Sequence, residues 1–303
     1  MRRGERLKDM DGDGCAVGAA VCELLREDGG VDSVWQTDRL VSEKPFLECM
    51  SAMAALAGAT KRLKFGMNVA SLGLRDPVLM AKQCATIDVL SEGRLLPAFG
   101  IGSSRSRDYS ATNTPTAGRG RRMDDGLEII KRLWTQESVS YDGDCYQLNG
   151  AAIAPKPIQH PMPLWIGGSA AKAIERTARW GTGWQAGIES ADKVGPVISA
   201  IKAKTKELGR NIDDDHFGAG FGFRFGSESE KIVQRYTKGI SARLGKDSKQ
   251  YNAIGGAAEI MELLQNFLDS GAHKFILRPI ASDTEDMIQQ TKLLIEKVLP
   301  EIA

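Results

Sequence analysis

Gly167-Gly168-Ser169 follows the apolar Leu164-Trp165-Ile166 and precedes a helical pattern from Ala170 to Trp180. A helix that opens directly after a strand presents unpaired N–H groups and the positive end of its dipole. Such an end suits a phosphate, and glycines let the phosphate approach. The same residues also suit a tight turn with Ser169 as a helix cap, and spacing alone does not choose between the two. Asp38, just past the strand pattern Val31 to Gln36, is the candidate for catalysis; the competing reading pairs it with Arg39 on the surface. Ser103, Ser104 and Arg105 follow another strand pattern, where they can touch a cofactor or an anionic substrate or stay solvated. Arg278 ends the pattern KFILRP (274–279), placed for substrate contact or for an internal ion pair. His216 and His273 precede strand patterns and read as structural. Gly100 and Gly102 have no third glycine or helix start in register, so they make no dinucleotide fingerprint.

The elements that position these groups follow from periodicity. In the stretch 76–104, Asp76 caps a helix that Pro77 opens. Leu79, Met80, Gln83, Cys84, Ile87 and Leu90 then recur at helical spacing as an apolar face. Gly93 predicts a left-handed stop, Arg94 to Ile101 (RLLPAFGI) a buried strand, and Gly102-Ser103-Ser104 the turn out of it. Further helices are predicted over 16–27, over 42–59 with Phe46, Met50, Met53 and Leu56 on one face, and over 120–134, 170–180, 194–208, 229–244 and 256–270. Strands are predicted over 31–36, 63–70, 164–166, 182–187, 217–225 and 274–279. Residues 103–118 read as a polar loop and 141–148 as an excursion with a turn, and Pro155, Pro157, Pro161 and Pro163 forbid regular helix between them and the next strand. Ser282 and Glu285 predict a capping box for the last helix. Strands alternating with helices imply a parallel sheet, and this length favours α/β with a TIM (β/α)8-type barrel carrying insertions. Seven strands are countable. The first, expected before Ala16, is not recognisable, so residues 1–14 read as irregular and 15–303 as one barrel domain.

Composition narrows the function classes. The chain has 303 residues, with Lys plus Arg at 40 against 39 for Asp plus Glu, so no overall field draws nucleic acid or anionic membrane. Five cysteines and three histidines form no CxxC, no HExxH and no zinc spacing, so no metal is expected. Cys84 reads as a small hydrophobe. No apolar run approaches membrane length, and residues 1–14 are too polar for a signal peptide; a soluble, cytoplasmic protein is the expectation.

Several stretches together resemble the bacterial luciferase-like superfamily of flavin- and coenzyme F420-dependent enzymes. They are VDSVWQTDRL (31–40), IDVLSEGR (87–94), RRMDDGLEIIKRLW (121–134), PKPIQHPMPLWIGGS (155–169), ARWGTGW (178–184) and KFILRP. The resemblance implies a barrel with insertions at 103–162 and 226–272, the cofactor phosphate on Gly167, Gly168 and Ser169, and Trp184 and Gln185 as the neighbouring wall. It also implies a non-proline cis peptide at Asn68-Val69, forming a bulge under the middle of the tricyclic ring, with Ser103 nearby. Asn68, Ser103 and Gly168 should then line a common cavity. Many deazaflavin relatives have Asp-His where this chain has Asp38-Arg39, and arginine is no base near neutral pH. Arg105 stands where the sugar-phosphate dehydrogenase branch has an acidic residue, which argues against that substrate class. The resemblance implies an oxidoreductase using F420 for hydride transfer to or from a small organic substrate. The alternatives are an FMN-dependent monooxygenase using O2 and a non-catalytic cofactor-binding barrel. It also suggests a homodimer through outer helices.

Overall fold

The computed structural model describes residues 30–43, 46–245 and 248–302, so the helix expected over 16–27 and the irregular segment 1–14 lie outside the described residues. Strand β1 (Ser33–Gln36) pairs in parallel with β2 (Lys64–Met67), and β2 with β4 (Leu95–Leu96). After a cis peptide at Asn68-Val69, the chain of β2 resumes as β3 (Ala70–Ser71). Past Pro97, that of β4 resumes as β5 (Ala98–Gly100). These upper halves belong to a second parallel sheet. There β3 and β5 are followed by β8 (Trp165–Gly167), β9 (Gly183–Gln185), β10 (Phe217–Ala219) and β13 (Lys274–Phe275). Past Gly220-Phe221 the chain continues as β11 (Gly222–Phe225), which lies between β12 (Asn252–Gly255) and β14 (Arg278–Pro279). The seven strand stretches counted in the sequence thus run in chain order around an arc. No closed barrel is formed among the described residues. Its two edges approach at the amino end, where Asp32 pairs with Lys64 (3.1 Å) and with Lys274.

Helices cover the outside of the arc. Helix α1 (Cys49–Ala59) begins later than expected: Phe46 lies off it and Glu48 caps it, accepting from Ser51 N–H at 2.8 Å. Pro45 in the sequence already opposes helix at that point. Helix α2 (Pro77–Leu90) starts as predicted, Asp76 accepting from Leu79 N–H at 2.8 Å, and Gly93 takes the expected left-handed conformation at φ +83. Its predicted apolar face is only half used. Met80, Cys84 and Ile87 are buried, whereas Leu79 and Leu90 are 57% and 60% exposed, because they sit on the flank turned away from the core.

The first long insertion holds a short helix α3 (Arg107–Ala111), helix α4 (Arg119–Thr135) and a hairpin of β6 (Val139–Asp142) and β7 (Gln147–Ala151). After it come α5 (Ala171–Trp180) and α6 (Ala191–Glu207). The second insertion holds α7 (Lys231–Leu244), β12 and α8 (Ala257–Asp269); the sequence reading had no strand at 252–255. In α9 (Thr284–Lys297) the cap is Asp283, accepting from Asp286 N–H at 2.9 Å, and not the predicted Ser282; the carboxylate one residue later is the stronger acceptor. One apolar cluster joins α1, α2 and α4 to β2 and β5, and a second joins α6 and α8 to β9–β12. No helix among the described residues is long and apolar enough to cross a membrane.

The amino-end loops are fastened by buried polar side chains. Arg94, immediately before β4, donates to Ser91 O (2.6 Å), Thr60 Oγ1 (2.5 Å), Leu63 O, Thr60 O and Ala57 O (3.0 Å each). Asp88 accepts from the backbone N–H groups of Ile158 (2.8 Å) and Gln159 (3.1 Å) and from Gln159 Nε2 (2.6 Å). The stretch IDVLSEGR therefore ties α1 and the proline-rich segment to the base of β4. His216 also lies at the amino end, its Nδ1 2.9 Å from Thr182 O and its ring against Trp165.

Candidate active site

At the carboxyl ends of the strands the backbone turns on small residues. The cis peptide stands where the sequence reading expected it, and Val69 projects between Gly100 and Gly167. A Cβ added to either glycine would lie 2.7 and 2.9 Å from Val69 Cγ2. Gly168 has φ +104, a conformation open to glycine at little cost. Its N–H donates to Gln185 O (3.2 Å), and its carbonyl accepts from Trp184 Nε1 (2.7 Å). Asn68-Val69, Gly167-Gly168 and Trp184-Gln185 are thus joined in one contact group. Ser169 does not cap α5: the cap position is Ala170, and Ser169 Oγ is buried with no hydrogen-bond partner. Gln185, 2% exposed, also leaves Oε1 without a partner, and so does Glu189 Oε2 just beyond. A buried acceptor left unpaired costs about 1–3 kcal/mol.

Asp38 lies beside this group. It is paired neither with Arg39 nor with solvent. Arg75 donates to both its oxygens at 2.7 Å, and Ser71 N–H donates to Oδ2 at 2.9 Å. The Asp38 side chain is 3% exposed. Burial pulls the Arg75 guanidinium down, but the bonds and charge of Asp38 outweigh it and hold Arg75 above its usual value. Beneath the pair, Cys49 is fully buried, and burial first, then the nearby Asp38 carboxylate, pushes its thiol well above the usual range. Sequence spacing offered no signal for Arg75, which stands 37 positions from Asp38.

Gly102 (φ +67) abuts Ser71, and Ser103, Ser104 and Arg105 turn outward from it, all exposed. Arg278 stands on the far side of the arc, half-buried, beside Gly222 in the register of β14 and β11. Tyr236 OH and Asn252 Oδ1, both unpartnered, crowd Gly222; neither residue was singled out from the sequence. Arg278 and Tyr236 line a cavity of about 1150 Å³ that runs between β1 and β13–β14, past Trp35, Trp165 and Phe275. A second cavity of about 440 Å³ lies between α7, β12 and α8. Asn68, Ser103 and Gly168 line neither of these two cavities. Val69 fills the space between Gly100 and Gly167, so the floor there is solid.

A family model described as luciferase-like monooxygenase matches residues 22–291. An uncharacterized protein of Mycobacterium tuberculosis is 34% identical over 168 residues, 55% of this chain and 57% of that protein. The match thus spans little more than half the length of that relative. An F420-dependent glucose-6-phosphate dehydrogenase of Amycolatopsis mediterranei is 26% identical over 283 residues, 88% of this chain and 81% of that one. Among solved structures, the monooxygenase RslO1 from Streptomyces bottropensis superposes with a TM-score of 0.81 at 18% identity, covering 95% of this chain and 94% of that chain. A type II Baeyer-Villiger monooxygenase of Pseudomonas putida in complex with FMN gives 0.75 at 15% identity, covering 95% and 92%. These likenesses establish the fold, that of the luciferase-like TIM-barrel enzymes.

Proposed function

This chain belongs to the luciferase-like monooxygenase family, and on that premise we propose that it is an oxidoreductase that binds coenzyme F420 at the carboxyl ends of its strands. The observation that carries the reading is the pair of buried, unpartnered oxygens, Ser169 Oγ and Gln185 Oε1, beside the left-handed turn at Gly168. A ligand bound beside them would complete their hydrogen bonding. The likeness to the F420-dependent dehydrogenase of Amycolatopsis mediterranei supports the F420 reading.

When bound, the deazaflavin supplies hydride transfer to or from a small organic substrate. The residues of the chain bind and orient it. Gly167, Gly168 and Ser169 would hold its phosphate at the start of α5, and Asn68, Val69, Ser103, Trp184 and Gln185 would hold its ring. Arg105 and Arg278 are the cations placed to hold an anionic part of the substrate. Asp38, with both oxygens engaged, acts by position: it ties the loop after β1 to Ser71 and so fixes the backbone that follows Val69. We place the enzyme in the cytoplasm as a homodimer, joined through the α2 flank that leaves Leu79 and Leu90 uncovered.

The test is a titration of the purified protein with F420 and with FMN, followed by oxygen uptake with each reduced cofactor. Saturable F420 binding without oxygen consumption is expected. Tight FMN binding with oxygen consumption would overturn the reading in favour of a monooxygenase. Light scattering on the same sample should return twice the chain mass, and one Leu90→Asp substitution should return it to the single-chain value.

A further inference from the structure

Gly100, Gly167, Gln185 and Gly218 form one row across β5, β8, β9 and β10. Phe99 is in register with Ile166, Gly167 with Gln185, and Gln185 with Gly218. Residues in register on parallel strands project to the same face of a sheet. Three of the four positions in this row therefore present no side chain. None of the three glycines has the positive φ that would demand glycine for backbone reasons. Space is the remaining cause. A Cβ at Gly100 would meet Val69 Cγ2 at 2.7 Å, one at Gly167 would meet Val69 Cγ2 and Cγ1 at 2.9 and 3.0 Å, and one at Gly218 would collide with Gln185 Oε1. Two side chains thus lie flat across three glycines. One of them, Gln185, is almost fully buried and keeps its amide oxygen unpaired.

We propose that this glycine row sets the height of Val69 and Gln185, so that the two side chains form a recessed floor for the flat ring of the cofactor while Gln185 Oε1 accepts an N–H of that ring. Gly100 and Gly218 are then positioning residues that never touch the ligand. The inference rests on the functional reading above and adds to it the reason for the floor's depth. Carbon atoms pack at about 3.5–4.0 Å, so an alanine at position 100 must displace Val69 by ~1 Å toward the ring.

The test compares wild type, Gly100→Ala, Val69→Ala and the double variant Val69→Ala/Gly100→Ala, each titrated with F420 and with FMN, alongside the melting temperature of each cofactor-free protein. Gly100→Ala should weaken binding of whichever cofactor the wild type takes by about tenfold or more, as overpacking does at a tightly fitted contact. The double variant, which removes the colliding methyl groups, should bind within about threefold of Val69→Ala alone. Gln185→Leu should lose about tenfold in affinity without loss of melting temperature, because the substituted group had no partner in the protein. Equal cofactor binding by Gly100→Ala and wild type overturns this inference and leaves the functional reading standing. So does a double variant in which the two losses simply add. A wild type that binds neither cofactor overturns both.

Discussion

Arg94 and Asp88, at the amino ends of the strands, bond every neighbour within reach, whereas Ser169, Gln185 and Glu189, just past the carboxyl ends, each keep a buried oxygen without a partner. Both regions bury polar atoms, and both draw on short loops between strands and helices. What separates them is who completes the hydrogen bonding. At the amino end the chain completes itself, so those residues act as fasteners of the fold. At the carboxyl end the chain leaves acceptors open beside a glycine turn, where a bound molecule would complete them.

The contrast can be broken by substitution. Arg94→Ala should give the largest effect, about 3 kcal/mol or more of stability lost, because it strands five buried oxygens that Arg94 now serves. In urea melts the midpoint should fall with the slope unchanged, and a loss below about 1 kcal/mol would mean that the amino end is no tighter than the carboxyl end.

A smaller effect of opposite sense is expected at the other end. Ser169→Ala should leave stability unchanged or raise it by up to about 1 kcal/mol, since the hydroxyl it removes has no partner, while cofactor affinity drops. A clear destabilisation there would show that the open oxygens belong to the fold after all.

The smallest effect is the response to acid. In Asp286 burial favours the protonated form, yet the Ser282 N–H and the Arg224 guanidinium outweigh it and hold the carboxyl below the usual range. In Glu230 the bond from Arg224 does the same. Carboxyls lowered on folding stabilise the protein above their unfolded value near pH 4, and that contribution disappears as pH falls below it through the folded value. Both groups are partly solvated, so we expect about 1 kcal/mol or less from each. Arg224→Met should flatten this part of the stability profile measured between about pH 5 and pH 2.

Local signals in the sequence carried much of this. Asp76, Pro77 and Gly93 mark the ends of α2, and the small residues after the apolar runs mark where the chain turns back. Each is a nearest-neighbour effect of capping or backbone freedom. Pairings between distant residues were not readable. Adjacency suggests Arg39 for Asp38, but its partner is Arg75; Asp88 meets Ile158 and Gln159, 70 and 71 positions away. Periodicity also misjudged the extent of burial on α2, because a helix face records which residues are apolar and not whether anything covers them. Strand β12 escaped because four residues between two helices are too few to show a period. The row Gly100, Gly167 and Gly218 is invisible in sequence for the same reason: its members become neighbours only once the strands are in register.

The clasp at Asp32 has one more consequence. Asp32, 52% exposed, meets Lys274, 20% exposed, so among the described residues this join between the two edges of the arc is an ion pair partly in contact with water. Dissolved ions screen such charges over about 8–10 Å at ordinary ionic strength, but they scarcely touch the hydrogen-bonded ladders elsewhere in the arc. Brine should therefore loosen one flank of this molecule and leave its spine alone.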